Sequence, residues 1–320
     1  MAMLGRSSPP PEAFSPVTAD RLDQRMPTAR ADRVPRGILY MLGATVLFAV
    51  SMAIAKWQVA SYSFAEVLFY RAVGSFAVCA VLILPRLGLT VFRTRRLRDH
   101  LGRSGTQAVA QSLIIIAFSL MPLGGAVAIN FSAPLFATLF AALWLKEKVG
   151  LARACALIAG FLGVLLVAAP GADSFRVGAL FALGNAVLFG SVTAAVRGMT
   201  QTESAETLTM YQMVFLMAFF AVAMPIVGMT SPSGLDLTAM LVNGLLNGLG
   251  QYWWTRSLSF APPAAVGPFY YFSLVWAIGL GFLFWGDIPT LPLIAGSAIV
   301  VSSGLFLLWH ESSRKLVPVE

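Results

Sequence analysis

Charged side chains are scarce in this chain: Asp, Glu, Lys and Arg make up 11% of 320 residues, against 58% that are hydrophobic. With a mean hydropathy of +0.79, that leaves more apolar surface than one soluble core can keep from water. An ordinary soluble domain is excluded, and the lipid bilayer is the expected solvent and partner. Cysteine and histidine are scarcer still, with 2 of each. Cys79 and Cys155 fall in separate apolar stretches, so neither a disulfide framework nor a metal quartet can be built. His100 and His310 sit where apolar runs end. An integral-membrane enzyme needs paired acids, histidines or a nucleophile with its base at bilayer depth. The chain has no such set, so no enzyme activity, metal or cofactor is expected.

What the chain has is apolar length. A crossing takes about 20 apolar residues, and such stretches fall at 37–56, 64–84, 104–121, 123–145, 151–169, 177–196, 206–228, 237–257, 262–285 and 291–309. They predict an all-α membrane protein with ten transmembrane helices. Residues 1–34 carry Pro9, Pro10, Pro11, Pro16 and Pro27, mixed charges and almost no apolar run, which reads as a disordered tail. A signal peptide would need an apolar core and a small-residue cleavage site. The first apolar run starts at Gly37 and leads into the bundle, so the tail is expected to be retained.

The net charge of +8 is unevenly placed. Counting crossings from a cytoplasmic N-terminus puts the tail arginines, Arg86, Arg93, Arg95, Arg96, Arg98, Arg103, Lys146, Lys148, Arg153, Arg197, Arg256, Arg314 and Lys315 on one side. Only Lys56 and Arg176 fall on the other. That bias orients the chain with both termini cytoplasmic, as a multi-pass protein of a bacterial inner membrane. A nucleic-acid partner would need a basic face on a folded module; here topology already accounts for the charge, and none is expected.

The second five stretches repeat the first five about 140 positions later. An offset of +141 pairs Gly37 with Gly178, Gly43 with Gly184, Phe48 with Phe189, Lys56 with Arg197 and Tyr70 with Tyr211. At +140 Gln107 meets Asn247 and Gln111 meets Gln251, and near +139 Ala126-Val127 meets Ala265-Val266. An odd number of spans per repeat turns the second copy upside down, a construction found in many secondary transporters. The expected units are a first repeat at 35–170, a second at 175–310, and a short cytoplasmic tail at 311–320.

Arg71 in the second span, Asn130 to Pro134 in the fourth, Glu147 closing it, and Gly160 and Gly163 in the fifth resemble the EamA family of the drug/metabolite transporter superfamily. In the second half the same likeness is carried by Arg256-Ser257-Leu258, Ala265-Val266-Gly267-Pro268 and Trp285-Gly286-Asp287. Two departures are visible: Asp287 stands where that family usually has Glu, and Ser257 where it often has Ala. The resemblance covers residues 35–310 and implies ten helices in two inverted five-helix repeats. It also implies transport of amino acids, other metabolites, vitamins or drug-like compounds.

Polar residues within spans point to the pathway, because an unsatisfied polar group in hydrocarbon costs several kcal/mol. Gln107 and Gln111 share one helix face, as do Asn243, Asn247 and Gln251. The repeat superposes the two files, so they are expected either to line a central cavity or to bond neighbouring helices. Arg71 is the only basic residue well inside a span. It binds an anionic group of the substrate, or it is a structural cation satisfied by carbonyls or by Glu66. Glu66 is the one candidate for proton coupling, with pairing to Lys56 or Arg71 the ordinary alternative. Among the aromatics of the eighth and ninth spans, Trp254 and Tyr271 are expected as wall residues. Asn130 joins them from the resembling run. Gly244 and Gly248 allow close helix contact. Pro134 and Pro268 favour bends in the paired fourth and ninth spans, where a gate is expected.

The expected function is a secondary carrier of a small organic metabolite working by alternating access. Export of amino acids or related amphipathic metabolites comes first, and uptake of a vitamin or nucleoside-like compound such as riboflavin or S-adenosylmethionine second. A channel would show charge rings or a filter. One chain encloses a pathway, so a monomer suffices, and a homodimer is compatible.

Overall fold

The computed structural model describes residues 34–145, 151–168, 173–199, 202–230, 232–261 and 263–314. Among them all regular structure is helical: α1 Val34–Val59, α2 Phe64–Leu87, a 3-10 turn Gly88–Phe92, α3 Leu97–Leu120, α4 Leu123–Asn130, α5 Ala133–Leu145 and α6 Leu151–Ala168. The second half follows as α7 Asp173–Met199, α8 Ala205–Val227, α9 Gly234–Phe260, α10 Pro263–Tyr270, α11 Phe272–Trp285 and α12 Leu291–Arg314. Residues 1–33, residues 315–320 and the Glu147 position lie outside the described residues, while α12 runs on through 311–314, the start of the expected C-terminal tail.

Six runs are long and apolar enough to cross a bilayer on length and composition alone, and two more, in α6 and α12, are apolar but shorter. Two of the six, Leu123–Phe140 and Ala265–Trp285, each span a pair of helices joined at a break. Neither α3 nor α9 is among them. Both carry the polar files read in the sequence, and polarity is what removes them.

The second and seventh spans begin and end alike. Ser63 caps α2, accepting from the Glu66 N–H at 3.3 Å, and Ser204 caps α8, accepting from the Thr207 N–H at 3.1 Å. A side-chain oxygen there satisfies one of the free amides of the first turn. Pro85 and Pro225 sit in the last turns, followed by Gly88 and Gly228 as C-caps with φ of +57° and +132°. Both backbones occupy the region that favours glycine.

The fourth and ninth spans are interrupted at matching places. The ladder breaks at Phe131–Ser132, where Pro134 offers no N–H to the Asn130 carbonyl, and resumes with Leu135 donating to Ser132 at 2.9 Å. In the second half the break falls at Tyr271, three residues after Pro268, and resumes with Leu274 donating to Tyr271 at 3.0 Å.

Exchanging the two halves reproduces the packing. Helix α1 lies on α9 as α7 lies on α3; α1 meets α10 and α11 as α7 meets α4 and α5; α2 meets α8, and α6 meets α12, across the exchange axis. The main apolar core, with Phe118, Ile115, Ile129 and Phe220 fully enclosed, sits where these helices converge.

Candidate substrate pathway

The α2–α9 crossing sets the geometry of the polar groups. A Cβ placed on Gly244 would stand 2.7 Å from the Gly74 Cα and 2.5 Å from the Arg71 carbonyl. These backbones touch, as close packing through small residues allows. At that contact the Ser75 hydroxyl donates to the Gly244 carbonyl at 2.9 Å and accepts from Asn247 Nδ2 at 3.1 Å. One turn earlier on α2, Arg71 donates to Gln111 Oε1 on α3 at 2.7 Å. Arg71 is only 8% exposed, so its charge is held among protein groups.

Each amide file therefore reaches α2 rather than the other file. On α3 the stripe runs Arg103, Gln107, Gln111. Arg103 donates to the Leu208 carbonyl at 3.2 Å and to Gln212, both on α8. Gln107 is buried between these contacts and makes no side-chain hydrogen bond among the described residues. On α9 the stripe runs Asn243, Asn247, Gln251. Asn243 is fully buried, donating to Gln58 Oε1 at 3.1 Å and accepting from the Ser51 hydroxyl on α1. Gln251 lines a cleft of about 140 Å³ between α2, α8 and α9, together with Cys79, Arg86, Glu206, Thr255 and Arg256.

A second cluster forms at the two helix breaks. Phe131 and Tyr271, which match at +140, face each other with ring centres 4.9 Å apart and planes 34° apart. Tyr270 stands edge-on to Phe131 at 5.6 Å and to Phe48 at 6.5 Å. Tyr271 is buried, its hydroxyl has no hydrogen-bond partner among the described residues, and a Cβ on Gly304 would meet that hydroxyl at 1.9 Å. Asn130 accepts from Asn185 Nδ2 on α7 at 2.5 Å. Trp254 packs with Met41, Ala261 and Val266 in a satellite core, and Trp276 donates to the Thr45 hydroxyl at 3.3 Å.

Glu66 is fully buried at the start of α2. One oxygen accepts from the Thr230 N–H at 2.8 Å, and the other from the Ser63 N–H at 3.3 Å and the Thr230 hydroxyl at 3.0 Å. It pairs with neither Lys56 nor Arg71. Nearby, Tyr62 donates to Asp236 at 2.7 Å. That hydrogen bond, more than burial, raises the Tyr62 pKa. Lys56 instead meets Asp287 at 3.6 Å.

The EamA-like transporter family matches residues 35–169 and again residues 176–309. The chain belongs to that family. Its relatives include a riboflavin transporter of Rhizobium johnstonii, 29% identical over 93% of this chain and 99% of that protein. A riboflavin transporter of Vibrio cholerae is 30% identical over 87% of this chain and 95% of its own length. A pseudopaline exporter of Pseudomonas aeruginosa is 28% identical over 84% and 95%. A solved crystal structure aligns with a TM-score of 0.61 over 89% of this chain and 99% of the other at 20% identity, a likeness of fold. This EamA protein is a multi-pass membrane transporter of a small molecule.

Reading the sequence missed Ser51, Gln58, Ser75 and Asn185 as partners of the amides, Phe131 as the ring neighbour of Tyr271, and Tyr270 as a ring neighbour of Phe131. Phe131 had a usable signal, since it matches Tyr271 at +140 beside a proline in the same repeat element. Ser51, Ser75 and Asn185 were polar residues at span depth, but small hydroxyls in helices commonly bond their own backbone and so carry little signal alone.

Proposed function

We propose that this protein carries a flat aromatic metabolite, with riboflavin the first candidate, by alternating access between two inverted five-helix repeats. In this reading α4 with α5, and α10 with α11, are single interrupted crossings, and the polar α3 and α9 also cross. That gives ten spans in the inner membrane with both termini cytoplasmic. Interrupted helices at mid-membrane are where such carriers hold their ligands.

The observation that carries the reading is the Phe131–Tyr271 pair on the exchange axis, with Tyr270 edge-on to Phe131 and Phe48 edge-on in turn to Tyr270. Aromatic rings that lie tilted against each other with centres 4.9 Å apart offer a planar ring system surfaces of the right kind. Arg71, Gln107, Gln111, Asn130, Asn247 and Gln251 then supply donors and acceptors for a polar edge or chain. The relatives named for riboflavin favour this ligand over amino acids. Direction stays open, because a relative named as an exporter shares the same fold family.

Purified protein in liposomes, given labelled riboflavin, S-adenosylmethionine and amino acids with and without a proton gradient, tests this. Saturable riboflavin flux is expected; flux of an amino acid without any of riboflavin would overturn it. Glu66→Gln belongs in the same assay. Its oxygens already meet hydrogen-bond donors from Ser63 and Thr230, so it acts as a tie between α2 and the segment after α8. Any gradient response is expected to survive the substitution, and its loss would make Glu66 the coupling group.

A further inference from the structure

The two halves share their main helix pairings but are not packed equally: α2 lies more closely on α9 than α8 does on α3, and the ends differ. Where α1 and α3 finish, α1 packs on α3, and α4 packs on α11 and α12. Exchanging the halves turns these pairs into α7 with α9, α5 with α10 and α6 with α10, none of which packs comparably among the described residues. A cleft of about 140 Å³ lined by Gln251 and Arg86 lies at that second end, and one of about 210 Å³ lies at the first, beside Pro122, Gly124, Gly281 and Asp287. The first end is therefore closed by helix contacts and not by an absence of space, and two equivalent halves joined differently at their two ends occupy one of two exchangeable states.

Lys56 stands at the centre of the closed end. Its ammonium donates to the Met121 carbonyl at 3.0 Å, lies 3.6 Å from Asp287 Oδ2, and sits 5.2 Å from the centre of the Trp285 ring. One side chain therefore joins the end of α1 to the α3–α4 corner and the end of α11. Asp287 Oδ2 is buried with no hydrogen-bond partner among the described residues, and the nearby ammonium is what balances its charge. Opening this end separates the pair and exposes both charges to water, which repays part of the lost attraction. An ion pair with that property holds a state without making it permanent.

We infer that Lys56 is the bolt of this end of the pathway, and that its contacts with Asp287 and Met121 part when the protein adopts its other state. The inference concerns conformation and needs no ligand, so it goes beyond the riboflavin reading and can fail separately from it.

The test uses the full chain with Cys79→Ser and Cys155→Ser, carrying one reporter cysteine at a time. Leu123→Cys reports the closed end: Leu123 is fully buried, and a Cβ on Gly281 would lie 3.8 Å from it and 3.4 Å from Asp287 Oδ2. Thr255→Cys reports the cleft at the other end. In liposomes labelled separately from each face with an impermeant maleimide, Lys56→Met should raise labelling at 123 on the order of tenfold and lower it at 255. Lys56→Arg, and the swap Lys56→Glu with Asp287→Lys, should return both towards the parent rates. Reciprocity separates a shift of state from local loosening, which would raise labelling at 123 without lowering it at 255. Unchanged labelling in Lys56→Met, or a rise at 123 without a fall at 255, overturns the inference. If Lys56→Met does not accumulate, Asp287→Asn breaks the same pair from the other side and is read in the same way.

Discussion

Gly244→Ala places the α2–α9 crossing under direct test, because two effects of opposite sign meet there. In an unobstructed helix alanine is better than glycine by about 1 kcal/mol. At Gly244, however, the new Cβ would stand 2.5 Å from the Arg71 carbonyl and 2.7 Å from the Gly74 Cα. Carbon atoms pack at about 3.5–4.0 Å, so the helices must part by roughly 1 Å. Overpacking of this kind costs about 1–3 kcal/mol. The Ser75 bond to Gly244 and the Asn247 bond to Ser75 stretch with it, and interhelical bonds in membranes average about 0.6 kcal/mol each. The expected net loss is about 1–2 kcal/mol, read by detergent-denaturation titration of the purified protein. Uptake should fall as well, since displacing the Arg71 backbone moves its guanidinium from Gln111. Gly279→Ala is the control: nothing lies within 4 Å of its added Cβ, and it should be neutral or mildly stabilising. A Gly244→Ala protein as stable and active as the parent would refute the close crossing.

Three further outcomes follow from named contacts. Arg71→Ala should abolish transport with the protein still inserted and folded, because Gln111 loses its hydrogen bond from the guanidinium and the pathway its buried cation; unchanged flux would remove Arg71 from the site. Gly304→Ala should lower both stability and flux, since the added methyl would meet the Tyr271 hydroxyl at 1.9 Å, and combining it with Tyr271→Phe should recover part of the stability. If the double variant is no better than the single, the ring is not seated in the Gly304 notch. His100 is fully buried at the start of α3, its ring tilted against Tyr211 with centres 4.5 Å apart and neither nitrogen hydrogen-bonded among the described residues. Burial, ahead of the nearby charges, lowers its pKa from the ordinary 6.5. The unfolded chain therefore binds the proton more readily, and stability should decline as pH falls below about 6.5. Thermal midpoints measured from pH 7.5 to 5.5 should flatten in His100→Phe, and an equally steep decline would assign the effect elsewhere.

The parts of this protein legible in its sequence are those governed by composition and repetition. Apolar length announced lipid, and the match of Gln107 with Asn247 and Gln111 with Gln251 announced an exchange axis. The α3–α7 and α1–α9 packing then expressed that axis. Helix rotation was less legible, because a repeat says which residues are equivalent but not which neighbour each one meets. The two amide files therefore pointed to each other in sequence, while in the structure Arg71 and Ser75 of α2 take Gln111 and Asn247. Lys56 likewise entered in sequence as a topological marker, as the match of Arg197 and as an alternative partner of Glu66, and never as a partner of Asp287. Its contacts with Met121 and Asp287 join residues 65 and 231 positions away, which no local pattern encodes.

The breaks show how a duplicated scaffold can serve a ligand that has no symmetry. Backbone interruptions at Phe131–Ser132 and at Tyr271 are equivalent, as exchange between two states requires of both repeats. The side chains on them are not: Asn130 matches Tyr270, and Asn130 is held by Asn185 on α7 while Tyr270 packs edge-on to Phe48 on α1. One break thus offers an amide and the other a phenol ring, around a shared aromatic pair. In the proposed carrier, symmetry in the chain path would support the cycle, and asymmetry in these few side chains would support recognition. Replacing Asn130 and Tyr270 should therefore change which compound is carried more than it changes whether the protein folds.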